Sequence, residues 1–155
     1  MARAAPPPHL VRMADVDPPL PGSLAALEGL DIAKGAYGGP RVARVSRALR
    51  VPIEALSPGE VRFLLHEGRG IAHLMPRALA ALEADPFLAA DGSVGDLLVT
   101  TLVAADRAWS PDSPWRDQLA RVLDAARRRL DAVSPDVRDA LRDEIDLACD
   151  RFLAA

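Results

Sequence analysis

The sequence has one cysteine, one lysine, no apolar run long enough to cross a bilayer and no sustained alternation of apolar with polar residues. Each shortage excludes something. Cys149 has no second cysteine to pair with, and no apolar run near the amino terminus reaches the length of a signal-peptide core. A cytoplasmic location is therefore expected. The most apolar stretch, Leu97 to Ala105, lies between Asp96 and Asp106 and falls far short of the roughly 20 residues that a membrane span requires. It is expected to be a buried helix, and no membrane partner is expected. Without alternation there is no reason to expect a sheet. Lys34 stands against 18 arginines in a chain also rich in alanine, proline and glycine, which reads as coding bias rather than function.

Short signatures of chemistry are missing too. There is no GxSxG, no P-loop GKS or GKT and no dinucleotide glycine fingerprint. His66 and His73 are separated by two glycines and lack the i, i+4 spacing that presents two imidazoles to zinc. The segment "DGSVGD" lacks the acidic spacing and closing glutamate of a calcium loop and reads as a turn followed by a cap. No catalytic residue, cofactor or metal ligand is expected. Cys149, with no histidine near it in sequence, reads as a small buried hydrophobe.

What is present is a chain of 155 residues, half of them apolar, enough for one core. Net charge is −3 and uneven: residues 1–50 carry 7 basic and 4 acidic groups, 51–100 carry 3 and 7, and 101–155 carry 9 and 11. An acidic body argues against phosphate backbones as ligand and suits a basic protein partner. The run "ARRRL" from Ala126 does not alter this. Asp117, Arg121, Asp124, Arg128 and Asp131 share one helical face with alternating sign, as on a solvated surface.

Residues 1–22 hold six of the fourteen prolines and no period, and are expected to form a flexible arm ahead of a helical domain over 23–155. Ser23 reads as the N-cap of a short helix, and Gly35, Gly38, Gly39 and Pro40 break the chain before a second over "RVARVSRALR". Ser57, Pro58 and Glu60 form a capping signature for a helix over 58–67, ended by Gly68 and Gly70. In "GIAHLMPRALAAL", residues 70–82, Ile71, Leu74, Met75, Ala78, Leu79 and Leu82 make a helical stripe with Pro76 in its midst. Either the helix kinks at Pro76 or Pro76 opens it, and the restriction on Met75 as the residue before proline favours the second. This helix should stop at Asp85-Pro86. Asp96 should cap the next, which runs to about Trp109. Trp115, Leu119, Val122, Ala126, Leu130 and Val133 make a stripe for a helix of about 18 residues. Ser134-Pro135-Asp136 should cap the last, with Val137, Leu141, Ile145, Ala148 and Phe152 facing inward. The expected fold is all-α, a single compact domain of about six helices.

The middle of the chain carries an ordered set of residues: Leu49, Arg50, Pro52, Ile53 and Leu56; then Val61, Arg62, Leu64 and Leu65; then Gly70, Ile71, Leu74, Pro76, Ala78, Leu79, Leu82, Pro86 and Phe87; then Gly95, Asp96, Leu97 and Leu98. Together with the "SLAALEG" opening, this set resembles the helical immunity proteins of bacterial contact-dependent growth inhibition (CDI) systems over roughly residues 23–120. The resemblance implies binding without catalysis. Its partner would be the toxin domain at the carboxyl end of a cognate surface effector, neutralised in the cytoplasm. Such toxins are often nucleases, whose basic grooves suit an acidic inhibitor. On that reading "GIAHLMPRALAAL" is scaffold, with Arg77 and His73 at most peripheral.

The candidate contact surface is the last helix. Asp136, Asp139, Asp143, Asp146 and Asp150 follow a helical spacing opposite the apolar stripe. Arg138, Arg142 and Arg151 stand close enough to neutralise part of this ridge, and an outer face is charged by default. In favour of the ridge, it lies beyond the family resemblance, where a surface that distinguishes one toxin from another should lie. The runner-up surface is the acidic loop around Glu83, Asp85 and Asp91. The alternative function is a small helical regulator or adaptor that binds another protein or nucleic acid, and a third is a small enzyme with an unfamiliar site.

Overall fold

The structure is a computed structural model that describes residues 19–32 and 38–154. Most of the expected amino-terminal arm lies outside the described residues. Among those described there are seven α-helices, two 3₁₀ turns and no strand. The chain divides into two compact units, one ending at Leu56 and the other beginning at Ser57.

In the first unit, α1 (Leu24–Leu27) starts at Ser23, whose hydroxyl accepts from the Ala26 N–H at 3.2 Å. This is the N-cap that the sequence proposes. α2 (Gly39–Arg50) follows Gly38, whose φ of 99° only glycine adopts without strain. Arg47 and Arg50 in its last turn face the negative end of the helix dipole. The Ile53 N–H donates to the Gly22 carbonyl at 3.0 Å, tying the start of α1 to the 3₁₀ turn Ile53–Ala55 after α2. Leu24, Ala25, Ala48, Leu49 and Leu56 are buried.

The second unit holds α3 (Pro58–His66), α4 (Ile71–Ala84), α5 (Asp96–Arg107), α6 (Arg116–Arg129) and α7 (Pro135–Phe152). α4 packs on α3, α5 and α6; α5 also packs on α3 and α7, and α6 on α7. Their shared core contains Leu64, Leu65, Leu74, Met75, Leu79, Leu82, Leu97, Leu98, Leu119 and Leu123, each almost fully buried. Each such leucine contributes about 1.5–3 kcal/mol through removal from water. α3 opens on a complete capping box: Ser57 Oγ accepts from the Glu60 N–H at 3.2 Å, and Glu60 Oε2 accepts from the Ser57 N–H at 2.9 Å.

Three local expectations are corrected. α4 begins at Ile71 and passes through Pro76 instead of starting there. Pro76 and Ala72, the residue whose carbonyl loses its partner, are both exposed. Water can therefore take the place of the missing bond, and Leu74, Met75, Ala78, Leu79 and Leu82 of the stripe stay buried, while Ile71 at the first turn is half-buried. Asp96 is not the cap of α5; it is the first helical residue, after Gly95. Ser134 makes no side-chain cap. α7 begins instead on Pro135, with the Ser134 carbonyl accepting from the Arg138 N–H at 2.8 Å.

α6 runs into a 3₁₀ turn, Leu130–Ala132, so the expected long helix is an α-helix with a tightened end. At the far end of α7, Phe152 lies 4.7 Å from Trp109, which in turn makes an edge contact with Trp115 at 5.9 Å between ring centroids.

Candidate partner-binding surface

The loop from Asp85 to Gly95 is held by carboxylates. α4 ends where Asp85 takes an extended conformation before Pro86, and Asp85 Oδ1 accepts from the Phe87 N–H at 3.1 Å. Asp96 reaches backward into this loop. Its Oδ1 accepts from the Ala90 N–H at 2.7 Å, and its Oδ2 accepts from the N–H groups of Asp91 at 2.8 Å and Ser93 at 3.3 Å. Burial pushes the Asp96 carboxyl up, but these three donors and the Arg62 guanidinium outweigh it and hold the group below its usual range. Gly95, at φ 79°, sits so close to α7 that an added Cβ would lie 2.8 Å from Leu141 Cδ2. The Gly95-Asp96-Leu97-Leu98 segment is thus a turn, a loop clamp and two core leucines.

The runner-up acidic surface is internally occupied. Glu83 accepts from Gln118 Nε2 at 3.0 Å and Arg121 Nε at 2.8 Å, and these bonds hold its carboxyl below the usual range. Asp85 is spent on its turn, and Asp91 pairs with Arg62 at 3.3 Å. The ridge on α7 is different. Asp136, Asp139, Asp143, Asp146 and Asp150 are all exposed, as the helical spacing requires. Asp146 lies 3.8 Å from Arg127, while Arg138 and Arg142 both turn to Asp131 at 3.8 Å. Arg138 and Arg142, which spacing sets beside the ridge, are therefore directed to Asp131 instead. Among the described residues, Asp139 and Asp143 have no ion-pair partner.

His66 and His73 are both exposed. Among the described residues, no three His, Cys, Asp or Glu side chains gather as they would around a metal ion. Cys149 is half-buried, not buried as expected. Burial pushes its thiol up against the pull of Arg127, and Asp146 and Asp150 add to the rise, so it is a poor nucleophile. Among the described residues, no helix is long and apolar enough to cross a membrane.

Sequence reasoning missed two exposed apolar residues. Val103, inside the run expected to be buried, is 49% exposed, and Leu147 on α7 is 67% exposed. Leu147 stands off the Leu141, Ile145, Ala148, Phe152 stripe, which is the signal that could have found it.

The family model for CDI immunity proteins matches residues 28–119. The chain belongs to this family. No curated protein and no solved structure matches it. The residues that carry the family resemblance are largely interior or turn positions: Leu49, Leu56, Val61, Leu64, Leu65, Leu74, Ala78, Leu79, Leu82, Leu97 and Leu98 are buried. The family match in this CDI immunity protein therefore falls on its frame, and α7 lies beyond it.

Proposed function

We propose that this immunity protein binds the toxin domain at the carboxyl end of its cognate CDI effector, in the cytoplasm, and neutralises it by covering its working surface without catalysis. The observation that carries the reading is the family match over residues 28–119, which leaves the exposed acidic face of α7 outside the shared frame. Charge supports the kind of partner. Residues 57–155 contain 17 acidic and 12 basic groups, a balance that suits a basic toxin such as a nuclease and speeds encounter with it.

The double substitution Asp139→Arg with Asp143→Arg tests the ridge. Both side chains are exposed and neither holds the fold, so the circular dichroism spectrum should be unchanged while protection of toxin-expressing cells is lost. Full protection by the double variant would remove the ridge from the interface. The toxin itself is expected to be encoded directly upstream, and failure of that product to bind the wild-type protein would overturn the whole reading.

A further inference from the structure

The outward side of α7 also carries an apolar feature. Leu147 of α7 and Val103 of α5, with Leu102, Ala148 and Phe152, line a groove of about 260 Å³. That volume is at the small end for a ligand pocket and accommodates one or two large side chains. Single exposed leucines are ordinary. This one differs in opening onto buried apolar walls: Leu102, Ala148 and Phe152 are each at most 5% exposed.

The rim is acidic. Glu144 and Asp106 line the groove, and Asp143 and Asp150 stand one helical turn to either side of Leu147. The cation at the groove, Arg151, donates from Nε to Asp106 Oδ1 at 2.7 Å, which leaves the rim with a surplus of negative charge.

We infer that this groove is the anchor of the toxin interface, and that it receives a large apolar side chain projecting from a lysine- or arginine-bearing segment of the toxin domain. The inference rests on the toxin-binding reading above and adds the chemistry of the contact. A second copy of this chain fits poorly, because a two-fold contact through the groove would set Asp143, Glu144 and Asp150 against their own equivalents. A basic segment meets the same three acids with opposite charge. The groove and the ridge then do different things. Burial of an apolar anchor governs how long the complex lasts, while rim charge governs how fast it forms.

The experiment uses the purified toxin domain encoded directly upstream, with surface-immobilised full-length immunity protein and rate constants followed against salt. Leu147→Gln and Val103→Gln alter exposed lining residues on two different helices and leave the core unaltered, so at least one folded variant reports. Each should speed dissociation by about 30-fold or more, the effect expected of a hot-spot residue, with little change in association. Asp139→Arg with Asp143→Arg should instead slow association and flatten its salt dependence. Wild-type dissociation rates in both groove variants, with wild-type binding intact, would overturn the groove while leaving toxin binding in place. A concentration-dependent dimer of the wild type that Leu147→Gln dissolves would also overturn it, by making the second copy the occupant. No binding by the wild type would remove the toxin reading and the anchor together.

Discussion

The family-matched frame and the last helix use the same residue types for opposite ends. In α4 the leucines at 74, 79 and 82 are sealed inside, whereas in α7 Leu147 is turned outward. Asp96 sits in the frame with its side chain 7% exposed and three backbone N–H groups on it, whereas Asp139 and Asp143 stand exposed with no cation at ion-pair distance among the described residues. The difference teaches that a family match to this chain is a match to its architecture. Partner choice is free to reside where the match ends.

Substitutions can break or sharpen that contrast. The largest effect on stability is expected for Leu79→Ala, which opens a cavity in a fully buried position and should cost about 2–5 kcal/mol. Urea denaturation reads that cost, and toxin binding per folded molecule should be unchanged. Gly95→Ala comes next. Its Cβ would meet Leu141 at 2.8 Å, and its backbone would be held at φ 79°, which together should cost about 1–3 kcal/mol. A thermal midpoint equal to wild type would show that α5 and α7 are not so closely seated.

Asp96→Asn should cost a similar or smaller amount, about 1–3 kcal/mol at neutral pH, since one amide oxygen replaces two carboxylate oxygens as acceptor. This variant also carries a pH signature. The folded-state pKa of Asp96 is depressed, so its contribution is complete above the ordinary aspartate value near 4 and is lost as pH falls through the depressed value. The stability gap between wild type and Asp96→Asn should therefore close on acidification below about pH 4. A gap that stays constant from pH 7 to pH 3 would contradict the loop-clamp role. The smallest effect is expected for the Asp139→Arg, Asp143→Arg pair, within about 0.5 kcal/mol of wild type. A large loss there would mean that the ridge belongs to the frame after all.

Much of this was readable before the fold was known, and for local reasons. The α3 capping box needs only residues three apart, and the α4 and α7 stripes need only a helical period, so Ser57, Glu60 and Leu79 reveal themselves in the sequence. What escaped depends on direction in space. Pro76 looks like a helix opener until Ala72 is known to face water. An aspartate after a glycine reads as a cap, and only the return of the Ala90–Ser93 backbone shows Asp96 to be a clamp on the loop behind it. The ridge follows from spacing, but the diversion of Arg138 and Arg142 to Asp131, and of Arg121 to Glu83 across 38 residues, could be known only once the helices were packed. Val103 was hidden in the most apolar run of the chain, where every residue reads as interior.

The aromatic cluster at the end of α7 has a practical consequence. Both tryptophans of the protein belong to it, and Phe152, which touches Trp109, is also a wall of the groove beside Leu147. Tryptophan emission, selected by excitation at the red edge where tyrosine does not absorb, therefore has one address. A spectral shift on mixing would report on the seat of the last helix in real time, with no dye attached and no residue replaced.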